Sequence, residues 1–167
     1  MALRNAPPSL TRSDAVLLAA VTESGGRGRP IDLRTLIHDA DWLDRGIPTF
    51  DQISYGIPRL VASGYVVVSG DDGDELRFTA TPAARSLRKS IAGDRLGDVV
   101  IEMTRLVAAS PWPKVEIEDR SLGRLAGMTP PHLERAISQH ARHVALLSMP
   151  LIAASRLLRW WLERRSR

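Results

Sequence analysis

The chain has 167 residues, of which 44% are hydrophobic and 25% charged, a composition typical of a globular protein with one domain or a small domain and an extension. It contains no cysteine, which excludes disulfide bonds, thiolate catalysis and cysteine-based zinc sites. The first residues hold no apolar run, so we expect no secretory signal and a cytoplasmic protein.

The formal net charge of +4 is unevenly distributed along the chain. Residues 1–90 carry 11 Lys and Arg against 11 Asp and Glu, whereas residues 91–167 carry 12 against 8. Residues 142–167 alone hold six Arg and one Glu. Because phosphate neutralisation supplies most non-specific affinity for nucleic acid, the neutral N-terminal half gains no general electrostatic advantage as a DNA-binding unit.

Two helices are predicted in the first 45 residues. Ser13 is a suitable N-cap for a helix through about Ser24, with Ala15–Val21 as its buried body. The glycine-rich run at 25–30 interrupts it, and a second helix is predicted over 31–43. The apolar positions of this second helix that we expect in a core are Ile31, Leu33, Leu36, Ile37 and Leu43.

A third helix is predicted from Thr49, as N-cap, to Gly64, as a left-handed C-cap. One face repeats apolar residues at spacings of three and four: Phe50, Ile53, Ile57, Leu60 and Val61. The opposite face holds Asp51, Gln52, Tyr55, Arg59 and Ala62. Strands at 65–69 and 76–81 flank a tight polar turn, and a helix over Pro82–Ile91 follows.

The order helix, helix, turn, helix, hairpin is the winged helix-turn-helix arrangement. Its markers here are Asp32-Leu33 opening the second helix, the run Arg59-Leu60 to Gly64-Tyr65-Val66 closing the third, and Phe78-Thr-Ala-Thr-Pro82 leaving the wing. On these residues the run Ser13–Ser90 resembles winged-helix regulators of the MarR and PadR type.

The resemblance implies binding of double-stranded DNA, with the third helix in the major groove and the wing beside the backbone. By position it would bring Thr49, Gln52, Tyr55 and Arg59 to the DNA, where Gln can read adenine and Arg can read guanine. Such binding requires a continuous positive face, to which Arg27, Arg29 and Arg34 would contribute.

Two features favour an alternative, a non-catalytic module that binds protein instead of DNA. The wing turn carries four carboxylates, from Asp71, Asp72, Asp74 and Glu75, where phosphate would approach. Pro58 lies inside the third helix, where it removes one backbone donor and tends to kink the helix.

The loop Arg27-Gly28-Arg29-Pro30 matches the core of an AT-hook, a short element that lies in the minor groove of AT-rich DNA. Glycine permits close approach of the backbone, and arginine follows the negative potential of a narrow groove. The alternative is an ordinary glycine-rich loop between helices, because four such residues recur by chance in a chain with 21 Arg.

The second half of the chain predicts a helical extension over residues 92–167. Residues 91–109 form an amphipathic pattern whose seam is spaced four, three and four, which suits a homodimer interface or packing against the C-terminus. The predicted dimerisation residues are Leu96, Val100, Met103 and Val107.

Residues 119–138 contain a short helix ending at Gly127 and another starting with Thr129 as N-cap and Pro130 at N1. The run Ala126-Gly-Met-Thr-Pro130 with His132, Leu133 and Arg135 is similar to a helix-turn-helix of AraC-type regulators. That resemblance implies a second DNA-binding surface made by Thr129, Pro131, His132 and Arg135. The alternative is a plain helical hairpin.

The C-terminal stretch 144–162 is strongly apolar but is interrupted by Pro150, Arg156 and Arg159, which argues against a spanning helix. An amphipathic helix is predicted over 151–164. Its apolar face would pack on the protein's own helices, or Trp160, Trp161 and the terminal arginines would lie at an anionic membrane surface.

No catalytic motif, metal-ligand set or cofactor loop is recognisable. His140 and His143 are three residues apart without carboxylates beside them, and His38 stands near Asp39, Asp41 and Asp44 as a polar helix end. The expected protein is therefore a mainly α, non-enzymatic transcriptional regulator without metal or cofactor. It has a winged helix with a small β-hairpin wing at 10–91 and a helical extension at 92–167.

Overall fold

Residues 10–70, 75–92, 96–109 and 130–165 are described by a computed structural model, with the backbone alone for Leu96 and residues 148–165. This part of the chain is mainly helical, with six α-helices and one small antiparallel sheet. The helices are α1 (Arg12–Ser24), α2 (Leu33–Asp44), α3 (Phe50–Ala62), α4 (Pro82–Ser90), α5 (Leu96–Ala109) and α6 (Pro130–Arg165). The strands are β1 (Ile31–Asp32), β2 (Val66–Ser69) and β3 (Arg77–Ala80), and a 3₁₀ turn, Gly26–Gly28, follows α1.

Helix α1 lies at the centre of the fold. Its residues from Asp14 to Thr22 are all buried, and it contacts α2, α3, α4, α5 and β3. The predicted apolar body, Ala15–Val21, is confirmed as core. A helix that is apolar on every side must be covered on every side, so the other elements pack around this one.

The N-cap of α1 is Thr11, so the prediction of Ser13 was wrong by two residues. The Thr11 hydroxyl accepts a hydrogen bond from the Asp14 backbone N–H at 3.4 Å, and the Asp14 carboxylate accepts one from the Thr11 N–H at 2.8 Å. This reciprocal capping box needs an acceptor three residues after the cap. For Thr11 this acceptor is the Asp14 carboxylate. Ser13, by contrast, already lies within the helix.

Helix α3 begins and ends by local signals, as predicted. Thr49 is its N-cap, and Gln52 completes a capping box by accepting the Thr49 N–H at 2.8 Å. At the other end Gly64 has φ +72°, and the N–H groups of Gly64 and Tyr65 donate to the carbonyls of Val61 and Leu60. This pair of bonds is a Schellman motif, which requires a left-handed residue after the C-cap. The helix continues through the buried Pro58.

The sheet has the strand order β1–β3–β2, with both pairings antiparallel. Strands β2 and β3 form the predicted hairpin, with Val66 opposite Ala80 and Ser69 opposite Arg77. The acidic turn residues 71–74 lie outside the described residues. Ile31 was predicted within the second helix, but it lies in β1 opposite Phe78. Helix α2 starts only at Leu33, because Asp32 is its N-cap.

Helix α5 packs on α1, so the predicted dimerisation seam is part of the protein's own core. Val100, Met103 and Val107 are 0–2% exposed within the same apolar cluster as α1. The fourth seam residue, Leu96, has no described side chain. The spacing correctly identified one apolar face, but spacing alone does not say whether the covering helix belongs to the same chain.

Helix α6 is continuous over 36 residues, about 54 Å at 1.5 Å per residue. The expected break between a hairpin ending at 138 and a helix starting at 151 is therefore absent, and the helical backbone passes through Pro150. The hairpin's first helix and Thr129 lie outside the described residues. No helix in the described part of the chain combines the length and apolarity needed to cross a membrane.

Helix α3 packs tightly against α1 at Gly56. A Cβ atom at this position would lie 2.6 Å from Leu17 Cδ1 and 2.9 Å from Asp14 Oδ1. Both neighbours are fully buried and cannot swing into solvent. The absence of a side chain at residue 56 is thus what lets the two helices meet.

We expect Gly56→Ala to lower the free energy of unfolding by about 1–3 kcal/mol, because it overpacks this contact. Gly97→Ala in α5 is the matched control, since a Cβ there meets no atom within 4 Å and alanine has the higher helix propensity. Urea unfolding followed by circular dichroism measures both variants. Equal stability of the two would contradict the close contact.

Candidate nucleic-acid interface

The predicted base-reading residues at the start of α3 are engaged within the protein. The Thr49 hydroxyl accepts the Gln52 N–H at 3.3 Å, and the Gln52 side-chain oxygen accepts the Thr49 N–H. The remaining amide group of Gln52 donates to the Ser13 hydroxyl of α1 at 3.1 Å. Both side chains therefore shape and anchor the helix, a role that their capping-box spacing already indicated.

Arg59 also turns towards α1. Its Nε and Nη2 atoms donate to Asp14 Oδ1 at 3.2 and 2.6 Å, and its side chain is 22% exposed. Asp14 itself is fully buried, and its second oxygen accepts from the Thr11 N–H and hydroxyl. The guanidinium that was expected to read guanine is thus the counter-ion of a buried carboxylate.

The solvent-facing side of α3 lacks positive charge. Asp51 and Tyr55 are exposed there, with Tyr55 at 44%, and Ser54 is half-buried. Of the four α3 residues predicted to face DNA, Tyr55 alone presents an exposed side chain without a hydrogen bond or ion pair among the described residues. The exposed side of α3 could therefore contact the edges of DNA bases with one phenol group and with no cation.

The predicted arginines of the loop and of α2 are exposed. Arg27 and Arg29 lie in the turn after α1, and Arg34 lies in the first turn of α2. The loop packs on the side chain of Arg85, whose Nη1 donates a hydrogen bond to the Ala80 carbonyl at 2.5 Å. A Cβ at Gly28, which has φ +82°, would lie only 2.7 Å from that Nη1 atom. The glycine thus lets the loop sit on Arg85 while Arg27 and Arg29 face solvent.

The start of α2 lies beside strand β3. Asp32 pairs with Arg77 in the sheet, and Arg34 follows two residues later. Burial would raise the pKa of Asp32, but hydrogen bonds from Thr35 and the nearby guanidiniums of Arg77 and Arg34 outweigh it and hold that pKa below its usual value. We name the exposed arginines here the loop-α2 surface, defined by Arg27, Arg29 and Arg34.

The loop-α2 surface and Arg59 lie near opposite ends of α1. Arg59 is bound to Asp14 in the first turn of α1, whereas the loop begins at Gly25, directly after the last turn. Eleven residues of helix separate these positions by about 16 Å along the axis. The four arginines therefore do not converge on one patch, and Arg59 is left out of the candidate interface.

The second predicted DNA-binding surface is described in part. Leu133 is 1% exposed, and Ala136 and Ile137 are half-buried against the core, while Arg135 and Pro131 are exposed and His132 is half-buried. The apolar face of this segment thus packs on the body of the protein and Arg135 points away. Thr129 lies outside the described residues.

One group of polar residues was not predicted as a unit. His140 of α6 is buried, and its Nε2 lies 2.8 Å from Asp41 Oδ2 of α2. The rings of His38 and His140 meet edge to face, with centroids 5.8 Å apart. The sequence did contain a signal for this group: a histidine interrupts an otherwise apolar stripe of α6, and carboxylates occur along α2. Among the described residues, no three His, Asp or Glu side chains are arranged to hold a metal ion.

We expect Arg59→Ala to lower the free energy of unfolding by about 3–5 kcal/mol, because it leaves the buried Asp14 carboxylate without its counter-ion. In a double-mutant cycle with Asp14→Asn, the two losses should be strongly non-additive. Thermal and urea unfolding provide the free energies. Additive losses would show that the two side chains do not interact in solution.

Comparisons with protein-family models, with curated proteins and with solved structures each return no match. The function of the chain must therefore be inferred from its own geometry and chemistry.

Proposed function

We propose that residues 12–90 form a winged helix that binds double-stranded DNA, and that the chain is a cytoplasmic transcriptional regulator. The observation that carries this proposal is the order α1–β1–α2–α3–β2–β3, in which the short β1 after the first helix pairs with β3 of the hairpin. The hairpin thus lies beside the start of α2, and this likeness to the position of a wing in winged-helix proteins supports the proposal.

The charges support a particular mode of binding. Three of the exposed cations lie on the loop-α2 surface, at Arg27, Arg29 and Arg34, whereas the exposed side of α3 carries none among the described residues. Phosphate contacts position a protein on DNA, and base contacts supply specificity. The proposed complex therefore derives its affinity from phosphate contacts by the loop-α2 surface, and Tyr55 supplies the main exposed group of α3.

We expect the triple variant Arg27→Ala/Arg29→Ala/Arg34→Ala to weaken binding to duplex DNA and to reduce the slope of log K against log salt by about 2 to 3, roughly one per lost phosphate contact. The control removes three exposed cations outside this surface, in the variant Arg12→Ala/Lys89→Ala/Arg105→Ala. Fluorescence anisotropy of a labelled random duplex, titrated with salt, measures both.

The proposal fails if wild-type protein shows no binding at low salt, or if the triple variant and the control lose equal affinity. Circular dichroism of each variant verifies that the fold is intact. Arg59 variants are unsuitable for this purpose, because loss of the Asp14 partner would destabilise the protein irrespective of DNA.

The second candidate function is a winged-helix module that binds another protein. The specific observation in its favour is the exposed side of α3, where Asp51 and the 44% exposed ring of Tyr55 occur without a cation, while Trp42 of α2 is 71% exposed. Exposed aromatic residues are enriched at protein interfaces. Absence of DNA binding in the salt titration would favour this function.

We further propose that the protein is a homodimer and that α6, not α5, supplies the interface. Val144 and Leu147, one turn apart on α6, are 37% and 62% exposed, whereas the described side chains of the α5 seam are already buried. Apolar side chains repeated along an exposed helix are stabilised by a second helix.

We expect Val144→Glu/Leu147→Glu to convert a dimer to a monomer in sedimentation equilibrium, with Ile101→Glu on the exposed side of α5 as control. A charge placed in a helix pair is desolvated without a partner, so the effect should be large. A monomeric wild type, or dissociation by the control alone, would contradict an α6 interface.

A further inference from the structure

A cleft of about 600 Å³ lies between α2 and α6. The α6 wall is a stripe with helical spacings of three and four, and the α2 wall is formed by residues of its first two turns. The residues that line the cleft are Arg34, Thr35, His38, Gln139, His140, Arg142, His143 and Leu146.

One end of the cleft is fixed by contacts of the buried His140. The His140 imidazole, whose side chain is 5% exposed, is hydrogen-bonded to Asp41 at 2.8 Å and meets the ring of His38 edge to face. These contacts set the distance between α2 and α6 at this point. The walls are therefore held apart by the fold, as a pre-formed binding site requires.

The chemistry of the walls is that of an anion site. The lining contains two arginines, three histidines, one hydroxyl and one amide, and it contains no carboxylate. Arg34 and Arg142 are exposed, and neither has an ion pair with any residue that the structure describes. Asp39 and Asp41 of α2 are instead paired with His38 and His140, and Asp32, whose pKa is lowered in part by Arg34, lies outside the lining. The cations of the cleft are thus not neutralised within the lining.

We propose that this cleft binds a phosphorylated small molecule of about nucleotide size. Guanidinium groups bind phosphate through parallel hydrogen bonds, and two of them match the double negative charge of a phosphate monoester. A volume of about 600 Å³ suits a ligand larger than inorganic phosphate. Leu146 and the exposed ring of His38 provide apolar surface for the remainder of the molecule. This site shares Arg34 with the loop-α2 surface, whereas Arg142 belongs to the cleft alone, so the variants of Arg142 test it separately from the proposed DNA binding.

The test is isothermal titration of the full chain with AMP, with inorganic phosphate and with adenosine. AMP should bind, inorganic phosphate should bind more weakly, and adenosine, which lacks the phosphate, should not bind measurably. Arg142→Ala should weaken AMP binding at least about tenfold, since a charge-assisted contact is lost. Arg135→Ala is the matched control, because it removes an exposed arginine from the same helix outside the cleft.

Three results would overturn the proposal: no heat of binding with AMP or phosphate at millimolar concentration, equal affinity for AMP and adenosine, or equal effects of Arg142→Ala and Arg135→Ala. The same two variants are then titrated with duplex DNA. If Arg142→Ala weakened binding to DNA while AMP gave no binding, the cleft would be part of a DNA interface and not a small-molecule site. Arg142 is exposed, so its variant is expected to fold. His143→Ala removes a second side chain from the α6 wall of the cleft and tests the same site independently.

Discussion

The ion pair between Asp14 and Arg59 is the constraint on which the arrangement of the helices depends. Asp14 is fully buried in the central helix, and a carboxylate there is tolerable only when its oxygens are satisfied. Thr11 satisfies one oxygen and Arg59 the other. For Arg59 to reach it, α3 must lie against α1, and that approach is possible because residue 56 is glycine.

This constraint also decides which side of α3 is available for function. Gln52, Gly56 and Arg59 form one stripe at helical spacing, and all three face α1. The rotation of the helix about its axis is therefore fixed, and Asp51 and Tyr55 are turned outward. The polar residues Gln52 and Arg59 of α3 are therefore largely structural, and the exposed side of this helix carries no positive charge.

Features coded by neighbouring residues were predictable, and features coded by distant ones were not. The bounds of α3 followed from its cap at Thr49 and the glycine at 64, both of which act within one turn. The partner of the α5 seam and the orientation of Arg59 depend on α1, 45 or more residues away. Exposure of Arg27 and Arg29 could be inferred from a glycine-rich loop, whereas the cleft joins residues about 100 positions apart and leaves no local pattern.

The hydrogen bond between His140 and Asp41 joins residues 99 positions apart in sequence. By contrast, β2 and β3 pair across a short turn, and α1 to α4 follow one another within 90 residues. Closing a long loop costs more chain entropy and slows folding, so we expect α6 to dock after the N-terminal elements have assembled. We therefore expect its amide hydrogens to exchange with solvent through partial opening, at lower free energy than those of α1, so that the cleft opens before α1 unfolds as denaturant is added.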